Sequence, residues 1–194
     1  MTQPLKNFKG IIWTLCDNWV PFIDFPTDRP INYCEIGVLY GANLLRFAEL
    51  FGSHPDTKLY AVDPWLNYDL YPEYEGKMTT IYDTFIENIN NSSYLNKIII
   101  KRDFSHNIMP KFDDNLFDII YIDGNHEKGF ILKDAIMSYE KLKNEGYIIF
   151  DDLNWKTIQD DVHEFLKMYE DKVEIFKIIS FGGIPGQLIC RKIA

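Results

Sequence analysis

Three carboxylates and one imidazole have the types and spacing that could do chemistry. Asp123 closes the apolar run Ile119 to Ile122 and opens Asp-Gly-Asn-His-Glu, with His126 three residues on. Asp151 and Asp152 close a second apolar run, Gly-Tyr-Ile-Ile-Phe. If both runs are strands ending on one rim, three like charges crowd together. Each then raises the others' pKa at a cost in stability. A bound cation removes that cost, and an all-oxygen set points to Mg²⁺, Mn²⁺ or Ca²⁺ rather than zinc. The plainer alternative for Asp152 is a cap on the next helix. His126 has the pKa range for proton removal near neutral pH; otherwise it is a solvated histidine at a helix start. His54, His106 and His163 lack such surroundings and read as surface residues.

A second set surrounds Ile31 to Asn43, I-N-Y-C-E-I-G-V-L-Y-G-A-N. Ile31, Tyr33, Ile36 and Val38 suit a buried strand, with Glu35 at its carboxyl end. Gly37 and Gly41 bracket a turn, and Leu44, Leu45, Ala48 and Phe51 recur at helical spacing. Lys58 to Trp65 gives a second strand ending in Asp63, which Pro64 stops. An acid there either accepts from the ribose hydroxyls of an adenosine cofactor or serves as a turn or cap residue. Asn67 to Gly76 reads as a surface loop or a substrate lid, and residues 77–90 as a helix. Lys97 to Arg102 gives a third strand, followed by Asp103, Phe104 and Ser105, where an Asp or Ser could equally cap a helix.

The glycine spacing is not the dinucleotide fingerprint, because Leu39 stands at its middle glycine. Glu35, Gly37 and Gly41 instead resemble the first motif, E/D-x-G-x-x-x-G, of class I S-adenosylmethionine (SAM) methyltransferases. I-D-G-N-H-E followed by G-Y-I-I-F-D-D resembles metal-dependent O-methyltransferases, most closely the macrocin O-methyltransferase type acting on sugar hydroxyls. The resemblance spans about residues 31–155. It implies SAM bound by Glu35, Gly37, Gly41 and Asn43, with the ribose at Asp63 and the adenine beside Asp103, Phe104 and Ser105. It also implies a cation, Mg²⁺ in the first instance, on Asp123, Asp151 and Asp152. His126 and Asp123 are then the catalytic pair, and Asp123 also neighbours the sulfonium. The implied activity is O-methylation of a hydroxylated small molecule, a sugar or a phenol. The alternatives are a metal-independent methyltransferase and a non-catalytic SAM-fold binding protein. Tyr139 and Lys143 fit the Y-x-x-x-K spacing of short-chain dehydrogenases, but without the glycine-rich opening.

These elements predict an α/β fold: a Rossmann-like, seven-stranded, mostly parallel sheet with an antiparallel C-terminal strand and helices on both faces. A single domain over 1–194 is expected, with an N-terminal helix and connector over 1–30 and the core over 31–194. Leu5, Phe8, Ile12, Cys16 and Trp19 predict an amphipathic helix over 5–20, as a cleft cover, a dimer face or a helix packed on the sheet edge. Phe25 to Pro30 is the connector. Glu127 is expected to begin a helix with Ile131, Ala135, Ser138 and Leu142 inward. After Asp152 come a helix and a hairpin, with strands over Lys172 to Ile179 and Gln187 to Ile193 joined by the Phe181 to Gly186 turn. Twenty basic against 29 acidic residues give a net charge of −9, which argues against nucleic acid and anionic membrane surfaces as partners. Cys16, Cys34 and Cys190 lack metal-site spacing, and no targeting or membrane-spanning run is seen, so a reducing, cytoplasmic setting is expected.

Overall fold

Side chains alternate across the central strands, and this builds two cores. In the computed structural model, which describes residues 5–24, 28–67 and 70–193, Tyr33, Leu59, Ile119 and Tyr121 pack into one buried cluster. Their neighbours Cys34, Tyr60, Ile120 and Ile122 pack into the other. The strands are β1 (Asn32–Ile36), β2 (Lys58–Val62), β3 (Ile98–Lys101), β4 (Phe117–Ile122), β5 (Leu142–Phe150), β6 (Val173–Phe181) and β7 (Ile184–Lys192). They form one seven-stranded sheet in the order β3-β2-β1-β4-β5-β7-β6. β1 to β5 pair in parallel, whereas β7 runs antiparallel to both β5 and β6. The helices are α1 (Ala42–Phe51), α2 (Met78–Asn90), α3 (Ser105–Ile108), α4 (Phe130–Lys141) and α5 (Lys156–Met168). This is the expected Rossmann-like architecture. The strand order reverses between β1 and β4, so the carboxyl ends of these two strands flank the crevice where ligands bind in such sheets.

Several local expectations are corrected. No α-helix spans 5–20: among the described residues this segment has only 3-10 turns at Cys16–Asn18 and Val20–Phe22. Gly10 adopts φ +99°, and a Cβ there would lie 2.4 Å from the Tyr40 ring. The Asn88 amide donates to the Lys9 carbonyl at 2.9 Å and accepts from its N–H at 2.9 Å. Tertiary bonds thus replace the helical ones, while Trp19 still anchors the segment by stacking on Phe47 and Tyr33. α4 begins at Phe130 rather than Glu127, because Asp161 of α5 accepts from the Gly129 N–H at 2.8 Å and the Leu132 N–H at 3.2 Å. Leu142 opens β5 rather than closing α4, and Val38 lies in the turn after β1. β6 and β7 close over Gly182 and Gly183, both at positive φ, so the hairpin turn is tighter than expected. Cys16, Cys34 and Cys190 are buried free thiols. Phe25, Pro26 and Thr27 of the connector lie outside the described residues. No helix among those described is long and apolar enough to cross a membrane.

Candidate active site

Where the strand order reverses, the turns after β1 and β4 nest against each other. The Asp123 N–H donates to the Ile36 carbonyl at 2.8 Å, and the Gly37 N–H to Val62 at 3.0 Å. Gly37 has φ +84°, and a Cβ there would come within 1.8 Å of the Asp123 carbonyl oxygen. Only glycine fits this close approach. Asp63, at the end of β2, shapes the same turn. Its Oδ2 accepts from the N–H groups of Val38 (2.8 Å) and Leu39 (3.0 Å), and its Oδ1 from Trp65 N–H at 2.6 Å. Leu39 is held at φ +51°, so the carboxylate supports the left-handed backbone that a glycine would otherwise supply. Burial pushes the Asp63 carboxyl up, and the three backbone N–H groups pull it partly back.

Glu35 is buried beneath this turn. Its Oε2 accepts from the Tyr33 hydroxyl at 2.7 Å and the Asn43 amide at 2.9 Å. Burial raises its pKa to about 8, against the pull of these two hydrogen bonds and with a push from Asp123 and Asp151. The Asn43 Oδ1 is buried without a hydrogen-bond partner.

Asp123, His126 and Asp152 converge in the same cleft. One ligand atom from each lies within 4.8 Å of the others. His126 Nε2 stands 3.4 Å from Asp123 Oδ1 and 3.6 Å from Asp152 Oδ2. The imidazole is buried in a loop, not solvated at a helix start, with Tyr71 and Trp155 edge-on at 5.6 and 5.2 Å. Burial lowers its pKa, which favours the neutral ring. Burial raises Asp123 well above the carboxylate range, and Asp151 and Asp152 add to the rise. Asp152 sits at φ +51°, a strained position for a side chain of its type. Asp151 turns away from this trio. It accepts from the Tyr121 hydroxyl, from Gln187 Nε2 at 3.0 Å and from the Asp152 N–H at 2.9 Å.

The segment after β3 divides. Asp103 bonds locally at the start of α3, accepting from Phe104 N–H at 2.8 Å and Asn107 Nδ2 at 2.9 Å, and it does not line the cleft. Phe104 and Ser105 do line it, and the Ser105 hydroxyl donates to Asp134 Oδ1 at 2.5 Å. His106, expected only at the surface, stacks on Phe104 at 5.3 Å and reaches the cleft rim. Asp134 was not legible in the sequence, where it is one polar residue among many in α4.

Together these groups line a cleft of about 830 Å³. Its far wall comes in part from the segment expected as an N-terminal helix and from the 67–76 stretch expected as a surface loop or lid. Trp13 lines the cleft, and its indole N–H donates to the Tyr74 hydroxyl at 3.0 Å, so the N-terminal segment meets the loop after β2. Tyr71, Tyr74 and Trp155 add aromatic surface; the tyrosine-rich 67–76 stretch was the sequence signal for the two tyrosines. Tyr68 and Asp69 of that loop lie outside the described residues. Tyr139 and Lys143 do not form a dehydrogenase pair: Tyr139 packs on Tyr169 at 4.3 Å, and Lys143 binds Asp118 at 2.9 Å.

The sheet order and the cleft at its reversal point define a Rossmann-like methyltransferase fold. The chain belongs to the family described as a methyltransferase domain, which matches residues 34–153. No curated protein matches the sequence. The structure is similar to the O-methyltransferase TomG from Streptomyces achromogenes, solved in complex with SAM, at 14% identity and a TM-score of 0.65, covering 84% of this chain and 73% of that one. It is similar to a candidate caffeoyl-CoA O-methyltransferase from Staphylococcus aureus at 17% identity and a TM-score of 0.63, covering 84% and 76%. A candidate rRNA methylase from Clostridium thermocellum matches at 13% identity and 0.65, covering 84% and 87%. At such identities the likeness carries the fold and not the acceptor.

Proposed function

We propose that the chain is a SAM-dependent O-methyltransferase that methylates a hydroxylated small molecule with the help of a divalent cation, Mg²⁺ in the first instance. The observation that carries this reading is the Asp123–His126–Asp152 cluster, which lines the same cleft as the turn after β1. SAM supplies an activated methyl group on its sulfonium. Gly37 borders the cleft where its methionine end would lie, whereas Gly41 does not line it and is turned to the Phe85 ring; the unpartnered Asn43 Oδ1 offers an acceptor for its amino group. Glu35 favours its ionised form again once positive charge enters the cleft. A carboxylate has roughly four acceptor sites. Three N–H groups occupy Asp63, so it retains capacity for one ribose hydroxyl rather than both, on Oδ1. Phe104 and Ser105 face the adenine, and Asp134 replaces Asp103 as the carboxylate nearby.

The donor set fits a hard divalent cation: two carboxylates, without a thiolate. Asp123 and Asp152 would hold it, and Asp151 orients the pair through its hydrogen bond from the Asp152 N–H. When bound, the cation supplies Lewis-acid polarisation and orientation of the acceptor hydroxyl. His126, kept neutral by burial, accepts the hydroxyl proton at Nε2. Tyr71 and Trp155 pack against the imidazole and restrict water around it. Holding the acceptor oxygen in line with the methyl group supplies much of the acceleration.

A second reading of His126 has its own support. Its Nε2 faces both carboxylates, while Asp151 is engaged by Tyr121 and Gln187. His126 is then the third cation ligand, and the proton leaves to solvent. Transfer of labelled methyl from SAM to a panel of sugars and phenols, with Mg²⁺ and with EDTA, tests the function. Mg²⁺-dependent product supports it, product insensitive to EDTA favours the metal-independent alternative, and no product with any acceptor favours the non-catalytic one. His126→Gln separates the two roles: loss of turnover with Mg²⁺ affinity intact marks the base, and loss of both marks the ligand.

A further inference from the structure

Seven carboxylates line the cleft, and no Lys or Arg does so among the described residues. The residues outside the description include neither type. Six of the seven already have partners or roles. Glu35, Asp63, Asp134 and Asp151 are hydrogen-bonded within the protein, and Asp123 and Asp152 belong to the candidate cation cluster. The seventh, Glu73, is exposed at the acceptor end. No hydrogen bond or ion pair engages its carboxylate among the described residues; only its backbone carbonyl is used, by Lys77 Nζ at 2.8 Å. It sits in the turn Pro72–Tyr74, between Tyr71 and Tyr74, whose rings lie 6.2 Å apart. Trp13 borders the same corner through its bond to the Tyr74 hydroxyl. A carboxylate that lines one cleft with neighbouring aromatic residues is a composition suited to an alkylammonium group, by ion pairing and by cation–π attraction.

We infer that the acceptor carries a protonated amine, which docks at Glu73 beside Tyr71, Tyr74 and Trp13. This rests on the methyltransferase reading and narrows its substrate class. The rest of the mouth is apolar and exposed: Phe130, Trp155, Phe181 and Ile184 line it. The acceptor is therefore an amine-bearing, hydroxylated molecule with an apolar body. Phosphorylated, carboxylated or coenzyme-linked acceptors would find no Lys or Arg lining the cleft and would bring an anionic group against Glu73 at this corner. Glu73 is a specificity-determining residue here and takes no part in the proton or methyl transfer.

The test uses the full chain saturated with S-adenosylhomocysteine and Mg²⁺, titrated calorimetrically at about pH 7 with three phenols of one size. These are tyramine, 4-ethylphenol and 3-(4-hydroxyphenyl)propionate. Tyramine should bind about tenfold more tightly than 4-ethylphenol, and the carboxylate about tenfold more weakly. Glu73→Gln, an exposed substitution, should remove most of the tyramine advantage and leave 4-ethylphenol unchanged. Equal or tighter binding of the carboxylate, a preference that survives in Glu73→Gln, or no measurable tyramine binding overturns the inference. The preliminary S-adenosylhomocysteine titration keeps the two levels apart. If the cofactor product does not bind, the methyltransferase reading fails and takes this inference with it; if it binds and the phenols are not sorted by charge, only the inference falls.

Discussion

Asp118 and Asp123 stand five positions apart on one strand and its exit, yet the protein treats them in opposite ways. Asp118 lies at the amino end of β4. It is met by Arg29 at 2.8 Å, Lys143 at 2.9 Å and the Asn32 N–H at 2.9 Å. The chain supplies its own cations there, as a buried carboxylate requires. Asp123, at the carboxyl end, faces Asp151, Asp152 and an imidazole whose burial favours its neutral form. The chain supplies no cation there. The difference separates a charge that serves the fold from charges kept poised for ligands, and it makes the carboxyl rim a place where stability is given up for chemistry.

The largest expected effect breaks the poised end. Asp123→Asn should lower methyl transfer about a thousandfold. In EDTA the same variant should melt higher than the wild type, because one repelling charge is gone; a lower melting temperature would mean that Asp123 serves the fold. Next comes pH. Glu35, raised from 4.5 to about 8, and Asp134, raised to about 7, stay protonated in the folded protein across pH values at which the unfolded chain has released those protons. Folding therefore binds protons in this window, and stability falls as pH rises from about 4.5 through 8. Without cation or cofactor, denaturant titrations should show a loss of several kcal/mol between these limits, on the order of 5 kcal/mol from Glu35 alone. Glu35→Gln should flatten the profile.

Cation addition sharpens the comparison from the other side. Mg²⁺ at a hundredfold excess over its dissociation constant should stabilise the wild type by about 2.7 kcal/mol and leave Asp123→Asn unmoved in a thermal melt. Asp118→Asn should show the converse pattern. Two cations lose their partner, so stability should fall by about 2 kcal/mol, discounted because Arg29 and Lys143 are partly exposed. Turnover per folded molecule should persist. The smallest contrast lies within the acidic pair. Asp152→Asn should weaken Mg²⁺ binding about tenfold more than Asp151→Asn, since Asp151 is engaged by Tyr121 and Gln187. Equal losses in calorimetry would return Asp151 to the ligand set.

The cofactor half of the cleft was largely legible in the sequence. Strands β1, β2 and β4 are short, mostly apolar runs with an acid at or just past the carboxyl end (Glu35, Asp63 and Asp123), and glycines mark the turn at Gly37 and Gly41. Those features are local, and local pattern is what a sequence shows directly. The acceptor half was less so. Trp13 reaches it from a segment whose apolar spacing imitated a helix until Asn88 claimed the Lys9 backbone. Gly10, in the middle of that segment, was the available warning. Asp103 and Asp134 exchanged places for a similar reason. A carboxylate just after a strand is visible in sequence, whereas one that a helix brings beneath Ser105 depends on packing. His126 was found, but its burial between Tyr71 and Trp155 was not, because both partners come from distant loops.

The central claim is that one cleft holds SAM and a cation together. Calorimetric titration of SAM into the protein, with Mg²⁺ and then with EDTA, tests it most directly. The account predicts saturable SAM binding that tightens when Mg²⁺ is present. Binding that ignores the metal would contradict the coupled site and reduce the Asp123 cluster to a structural feature. No SAM binding in either condition would contradict the account as a whole.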